Sequence, residues 1–172
     1  DDRQPGRLDI GNDNLQYAMR RRPRDPMPLV LEALEQGRGA TLIYARTRRS
    51  VERWAERLRE LDVPATPYHA GLEPEARRDA LTLFLEHERP VLVATVAFGM
   101  GVDRADVGLV LHLDLPSTPE GYLQESGRAG RDGQPAFCLV LFSPGDRTSL
   151  GWAMQAASRG SASLEDSHRL DL

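Results

Sequence analysis

Four apolar runs constrain the fold of this chain more than anything else in it. Thr41–Ala45, Val91–Ala94, Val107–Leu113 and Phe137–Phe142 contain no acidic or arginine side chain. Strands that are apolar throughout, rather than at alternate positions, are covered on both faces. Helical spacing fills the intervals. Asp25-Pro26 reads as the N-cap and first turn of a helix closed by Gly37, with Leu29, Val30, Ala33 and Leu34 on one face. Thr47 caps a second helix carrying Val51, Trp54, Leu58 and Leu61 on one face. Glu73-Pro74 opens a third, with Ala80, Leu81, Phe84 and Leu85 inward, and Thr118-Pro119 a fourth that runs towards Gly127. Ala65–Tyr68 is a short extended piece, and Leu15–Met19 reads as a short strand. This alternation predicts an α/β fold, a mostly parallel sheet flanked by helices on both faces.

The flanks read differently. Residues 1–13 are polar and without period, a loose lead-in. Arg20-Arg-Arg22-Pro-Arg24 reads as a solvated basic linker. Ser143-Pro-Gly-Asp146 reads as a turn opening a last helix, and residues 161–172 as a polar tail, which leaves one lobe over residues 14–160.

Composition narrows the chemistry. With 172 residues and 40% hydrophobic content the chain has enough material for one buried core. No apolar run has the length of a membrane span, so no membrane partner is expected. The single cysteine, Cys138, excludes an internal disulfide and a multi-cysteine zinc cluster; it lies in an apolar run and reads as a buried thiol. The histidines fall in unrelated segments, so no metal site is expected and no zinc. All 22 basic residues are arginine. A Walker A phosphate loop requires the lysine of its G-x-x-x-x-G-K-[ST] signature, so none exists in this sequence. A net charge of −4 has the wrong sign for a broad nucleic-acid surface. It leaves room for a local groove, because a few arginines and backbone amides suffice to hold phosphates.

The segments with chemical content follow the strands, where open parallel sheets gather their ligands. They are Arg46-Thr47-Arg48, Tyr68-His-Ala-Gly71, Thr95 to Asp103, and Asp114. The Thr95–Asp103 loop has two glycines two residues apart, Gly99 and Gly101, and offers amides and a hydroxyl to phosphate. Asp103 is placed to accept from a ribose hydroxyl. Gln124-Glu-Ser-Gly-Arg128-Ala-Gly-Arg131-Asp-Gly133 sets two arginines three residues apart, each after a glycine. Forked, always-charged guanidinium groups at such a turn suit triphosphate oxygens.

Taken in order, Tyr44-Ala-Arg-Thr-Arg48, Tyr68-His-Ala-Gly71, Val93-Ala-Thr-Val-Ala-Phe-Gly-Met-Gly101 and Gln124–Gly133 closely resemble the second motor lobe of RecQ-type DNA helicases of superfamily 2. The first corresponds to that family's motif IV region, the third to motif V and the last to motif VI. The resemblance runs from about Asn14 to about Asp146. Two departures are mild: Ala45 and Thr47 stand where the family often has Tyr-Cys-x-Ser-Arg, and Asp103 stands where asparagine and aspartate alternate.

The resemblance implies a RecA-like lobe of the P-loop NTPase type without its own Walker A. It implies an N-terminal partner lobe that binds most of ATP and Mg²⁺, and 3′ to 5′ translocation on single-stranded and duplex DNA. Arg131 is then the arginine finger, with Arg128 assisting. Gln124, Asp103 and Gly101 belong to the nucleotide side. Thr47, Arg48, His69, Gly71 and Thr95 are the expected contacts to the DNA backbone. The expected location is cytoplasmic, on the nucleoid if the source is bacterial. The fragment by itself is expected to be inactive. The competing expectation is a non-catalytic DNA-binding or protein-interaction module that keeps the fold; the intact motif VI weighs against it.

Overall fold

The computed structural model describes residues 14–95 and 103–146. Gly101, the lead-in over residues 1–13, the helix expected after Asp146 and the polar tail lie outside the described residues. The described chain runs β1 (Leu15–Arg21), α1 (Met27–Gln36), β2 (Ala40–Tyr44), α2 (Arg48–Arg59), β3 (Ala65–Tyr68), α3 (Pro74–Glu86), β4 (Val91–Ala94), β5 (Val107–His112), α4 (Pro119–Ser126) and β6 (Ala136–Phe142), and ends in a 3₁₀ turn at Pro144–Asp146. The six strands form one sheet in the order β1-β6-β5-β2-β4-β3, and every neighbouring pair is parallel.

Side chains alternate across the sheet and build a core on each face. On one face Ile43, Val93, Leu109, Leu111 and Leu139 meet Val30 and Ala33 of α1 and Val51, Trp54, Ala55 and Leu58 of α2. On the other face Leu42, Tyr44, Leu92, Val110 and Cys138 meet Ala80 and Phe84 of α3 and Ala129, just beyond α4. Each fully buried Leu, Val or Phe contributes roughly 1.5–3 kcal/mol relative to exposure. Burial pushes the Cys138 thiol up to about 12, so it is an inert core group.

Three local readings need correction. Leu61 is 49% exposed, because α2 ends at Arg59 and Asp62, at φ 60°, turns the chain away. Leu85 is 50% exposed, because α3 buries only the narrow stripe of Ala80 and Phe84, with Leu81 packed at its margin. The basic run is no solvated linker. Arg20 and Arg21 belong to β1, the Arg22 amide donates to Phe142 O at 2.7 Å, and the Arg22 side chain is paired.

Truncating Phe84 to alanine should cost about 3–5 kcal/mol in denaturant unfolding, whereas Leu61→Ser and Leu85→Ser should stay within about 0.5 kcal/mol. Equal losses for all three would place Leu61 and Leu85 back in the core.

Candidate functional site

A parallel sheet has two edges of different kind, and the polar segments divide between them. At the amino ends of the strands, the loop after α4 is tied to the start of β5. Gly130 N–H donates to Val107 O at 2.8 Å and Asp132 N–H to Ala105 O at 3.0 Å. Gly130 has φ +62°, a left-handed conformation that favours glycine, and a Cβ there would collide with Asn14 and Leu15. The Asn14 side chain donates to Gly130 O at 2.8 Å and to Gln134 O at 2.6 Å. Arg38, from the α1–β2 turn, forks onto the Asp132 carboxylate at 2.8 and 2.9 Å. That guanidinium holds the Asp132 carboxyl below the usual carboxylate range.

On this fixed base the Arg131 head is 41% exposed. Its Nη1 donates to Asp103 Oδ1 at 2.7 Å and its Nε to Gly127 O at 3.4 Å. Asp103 therefore lies at the amino edge, opposite the carboxyl edge to which its loop position assigns it. The reason is topological. A connection between parallel strands must carry the chain back to its starting edge, and residues 95–106 make that return from β4 to β5. Arg104 anchors the end of the return. Its guanidinium donates to both Asp106 oxygens, at 2.6 and 3.0 Å, and to the carbonyls of Phe84, His87 and Glu88 at the end of α3. A cation at a helix C-terminus also meets the favourable end of its dipole. The hydrogen bonds from Arg104 lower the Asp106 pKa.

Arg128 sits one turn before Arg131 and turns inward. Its charge reaches the buried Tyr44 hydroxyl and opposes the rise in pKa that burial imposes there. Tyr44 stacks on His112 with ring centroids 5.0 Å apart, and His112 Nε2 lies 2.6 Å from Glu125 Oε2 in a buried pair. Tyr122 packs edge-on against the same imidazole at 5.3 Å. Motif VI thus rests on a buried polar layer that the sequence reading did not foresee. Gln124 is exposed on α4.

The carboxyl edge carries the other group. Thr47 caps α2, its hydroxyl accepting from Ser50 N–H at 3.1 Å, and Arg46, Thr47, Arg48 and Arg49 are exposed. Asp114 clamps this loop. One of its oxygens accepts from Arg46 N–H at 3.2 Å, and the other pairs with Arg22 at 2.9 Å. Thr95 is buried at the end of β4, its amide donating to Tyr68 O at 3.3 Å.

His69 does not face solvent as a DNA contact would. Its ring is buried, and both nitrogens are engaged within the protein. Nδ1 accepts from Gly71 N–H at 3.1 Å, so the ring proton sits on Nε2 and donates to Glu52 at 3.0 Å. The Gly71 amide is consumed by that bond. Gly71 instead makes room for Arg48, since a Cβ there would stand 2.8 Å from an Arg48 nitrogen. His69, Glu52 and Gly71 are a brace behind Arg48. Among the described residues no three His, Cys, Asp or Glu side chains gather as a metal site.

Comparison with known proteins decides the family. The helicase conserved C-terminal domain model matches residues 26–133, from the start of α1 to the end of the loop that carries Arg131. The chain is 46% identical over 107 residues to the ATP-dependent DNA helicase RecQ of Bacillus subtilis, covering 62% of this chain and 18% of that protein. It is 34% identical over 172 residues to the RecQ-like DNA helicase BLM of Xenopus laevis, covering 94% of this chain and 12% of that protein. The chain is a RecQ-type helicase C-terminal lobe. This RecQ-type lobe spans less than a fifth of the length of either relative. Its RecA-like fold matches a chain of the crystal structure of the E. coli DEAD-box protein SrmB bound to regulator of ribonuclease activity A. The TM-score is 0.68 at 25% identity, over 83% of this chain and 84% of that one.

The lowered pKa of Asp106 makes part of the RecQ-type lobe's stability pH-dependent. A depressed carboxyl contributes fully above its unfolded value, near ~3.9, and loses that contribution as pH falls through the lower folded value. Asp106→Asn should therefore lower the melting temperature at pH 7, with the gap to wild type closing as pH falls below the unfolded value. A gap independent of pH would mean that the charge on Asp106 contributes nothing.

Proposed function

We propose that this lobe is the C-terminal motor lobe of an ATP-dependent DNA helicase that translocates 3′ to 5′. ATP lies between this lobe and an N-terminal one, and single-stranded DNA crosses the opposite edge of the sheet. The observation that carries the reading is the state of Arg131: an exposed guanidinium on a pinned loop, held by the exposed Asp103 carboxylate and a long bond to Gly127 O. Such a group can exchange Asp103 for a phosphate oxygen at little cost, since an exposed ion pair contributes about 0–1 kcal/mol.

In this reading Arg131 meets the γ-phosphate and offsets the charge that develops as the phosphoryl group transfers. Asp103, released from Arg131, is free to accept from the ribose. Arg128 braces motif VI from beneath. The phosphate loop must come from the N-terminal lobe, because this sequence contains no lysine. Mg²⁺ is held there and by the nucleotide. On the DNA edge, Arg48 and the N-terminal turn of α2 meet backbone phosphates, with Thr47 and Thr95 beside them, while His69 and Gly71 act by aiming Arg48. Phosphate contacts give affinity without sequence preference, which suits a motor that steps along any sequence. ATP binds the closed arrangement of lobes better than ADP does, so hydrolysis shifts the population towards the open one.

In the full-length protein, Arg131→Ala should reduce DNA-stimulated ATP turnover by roughly 10³-fold and leave ATP affinity within a small factor, because the finger acts where transition-state charge develops. Arg131→Lys should recover little, since an ammonium has no fork. Turnover near the parental rate in Arg131→Ala would favour the non-catalytic module instead.

A further inference from the structure

Arg38 belongs to none of the motifs, yet its side chain makes three bonds to the finger loop. Its two terminal nitrogens donate to the Asp132 carboxylate at 2.8 and 2.9 Å, and its Nε donates to Pro135 O at 2.8 Å. Asp132 is the neighbour of Arg131. Its carboxylate also accepts from Gln134 N–H at 3.1 Å, so it closes the turn that follows the finger. We infer that Arg38 is a positioning residue for the arginine finger, acting through Asp132 to hold the 131–135 turn in register with the start of β5.

The path is short and made of fixed parts. Gly39, at φ +56°, reverses the chain just after Arg38 and forms an antiparallel bridge with Val107. Ala40 N–H then donates to Asp106 O at 3.1 Å. Arg38 and the finger loop are thereby anchored on the same stretch, 105–107, that receives the Gly130 and Asp132 amides. Asp103, the present partner of Arg131, lies two residues before that stretch, and Arg104 locks the interval. Finger, partner and Arg38 share one rail. Both members of the Arg38–Asp132 pair are partly exposed, at 35% and 24%, so solvent screens its contribution to global stability. Its bidentate geometry instead fixes the orientation of one loop. An error of about 1 Å in placing a catalytic group costs up to about 10²-fold in rate, which is the scale on which such a bond matters.

The inference rests on the reading of Arg131 as the finger, and the experiment separates the two. In the full-length protein, DNA-stimulated ATP turnover, KM for ATP, affinity for a single-stranded oligonucleotide and melting temperature are measured for Arg38→Ala, Arg38→Lys, Asp132→Asn and the exchanged pair Arg38→Asp/Asp132→Arg. Single-turnover hydrolysis is measured for Arg38→Ala combined with Arg131→Ala. Arg38→Ala and Asp132→Asn should each lower kcat by about 10- to 100-fold, with KM for ATP and oligonucleotide affinity within about twofold of the parent. Arg38→Lys should recover little, and the exchanged pair should recover a large part of the loss. Against an Arg131→Ala background the Arg38 change should cost nothing further, because the finger it places is gone. Parental kcat in Arg38→Ala and Asp132→Asn, or an undiminished loss in the Arg131→Ala background, would overturn the positioning role. Parental turnover in Arg131→Ala alone would overturn the finger reading itself.

Discussion

Parallel pairing throughout the sheet is the constraint on which the rest of this lobe depends. Each strand must start at the same edge, so every connection crosses the full height of the sheet. Four connections do so as helices. The β4–β5 connection leaves Thr95 at one edge and Asp103 at the other. Strands of four to seven residues separate those edges by roughly 13–23 Å at about 3.3 Å per residue. Thr95 and Asp103, the two ends of one connection, thereby lie at the two proposed sites, the DNA edge and the nucleotide edge. A motor needs such a link, because nucleotide state has to be felt where the strand is held.

The amino edge is built as a rigid base with a loose head. Backbone bonds from Gly130 and Asp132, the Asn14 amide and the Arg38 fork fix the loop, and Arg104 fixes the opposing segment. Beneath them the His112–Glu125 pair, covered by Tyr44 and Tyr122, keeps α4 on the sheet. A buried carboxylate is costly unless it is partnered, and here the partner comes from the end of β5. The Arg131 head keeps an exposed ion pair with Asp103 that it can exchange. At the carboxyl edge the order is similar: Asp114 holds Arg22 and the Arg46 amide, the buried His69 is engaged by Glu52 and Gly71, and the Arg48 head stands exposed.

The strands and helices were legible because burial on two faces leaves its mark on composition: the runs at Thr41, Val91, Val107 and Phe137 admit no acidic or arginine side chain. Helix margins were not. Leu61 and Leu85 continue the apolar period, but the period cannot show where the helix stops or how narrow its buried stripe is. β1 was read short, since Arg20 and Arg21 on an edge strand resemble a linker. The motif arginines and Arg48 were singled out from their spacing with glycine or their place after a strand. That the His69 ring is buried and bonded at both nitrogens is not visible in sequence, where a strand-end histidine reads as exposed. Arg38, Arg104 and Glu125 carry no local signal. Their meaning comes from partners in other segments, 94 residues away in the case of Arg38 and Asp132, and only the folded chain brings them together.

The central claim is that nucleotide and DNA meet opposite edges of this lobe, with Arg131 changing partners between states. Its most direct test is a structure of the full-length protein trapped with a non-hydrolysable ATP analogue and a single-stranded oligonucleotide. The account requires the Arg131 guanidinium to have left Asp103 for the γ-phosphate, at about 2.7–2.9 Å, with the oligonucleotide phosphates along Arg48 and Thr95. An oligonucleotide lying across Asp103 and Arg131, or Arg131 still paired with Asp103 while the γ-phosphate is held by other residues, would contradict it.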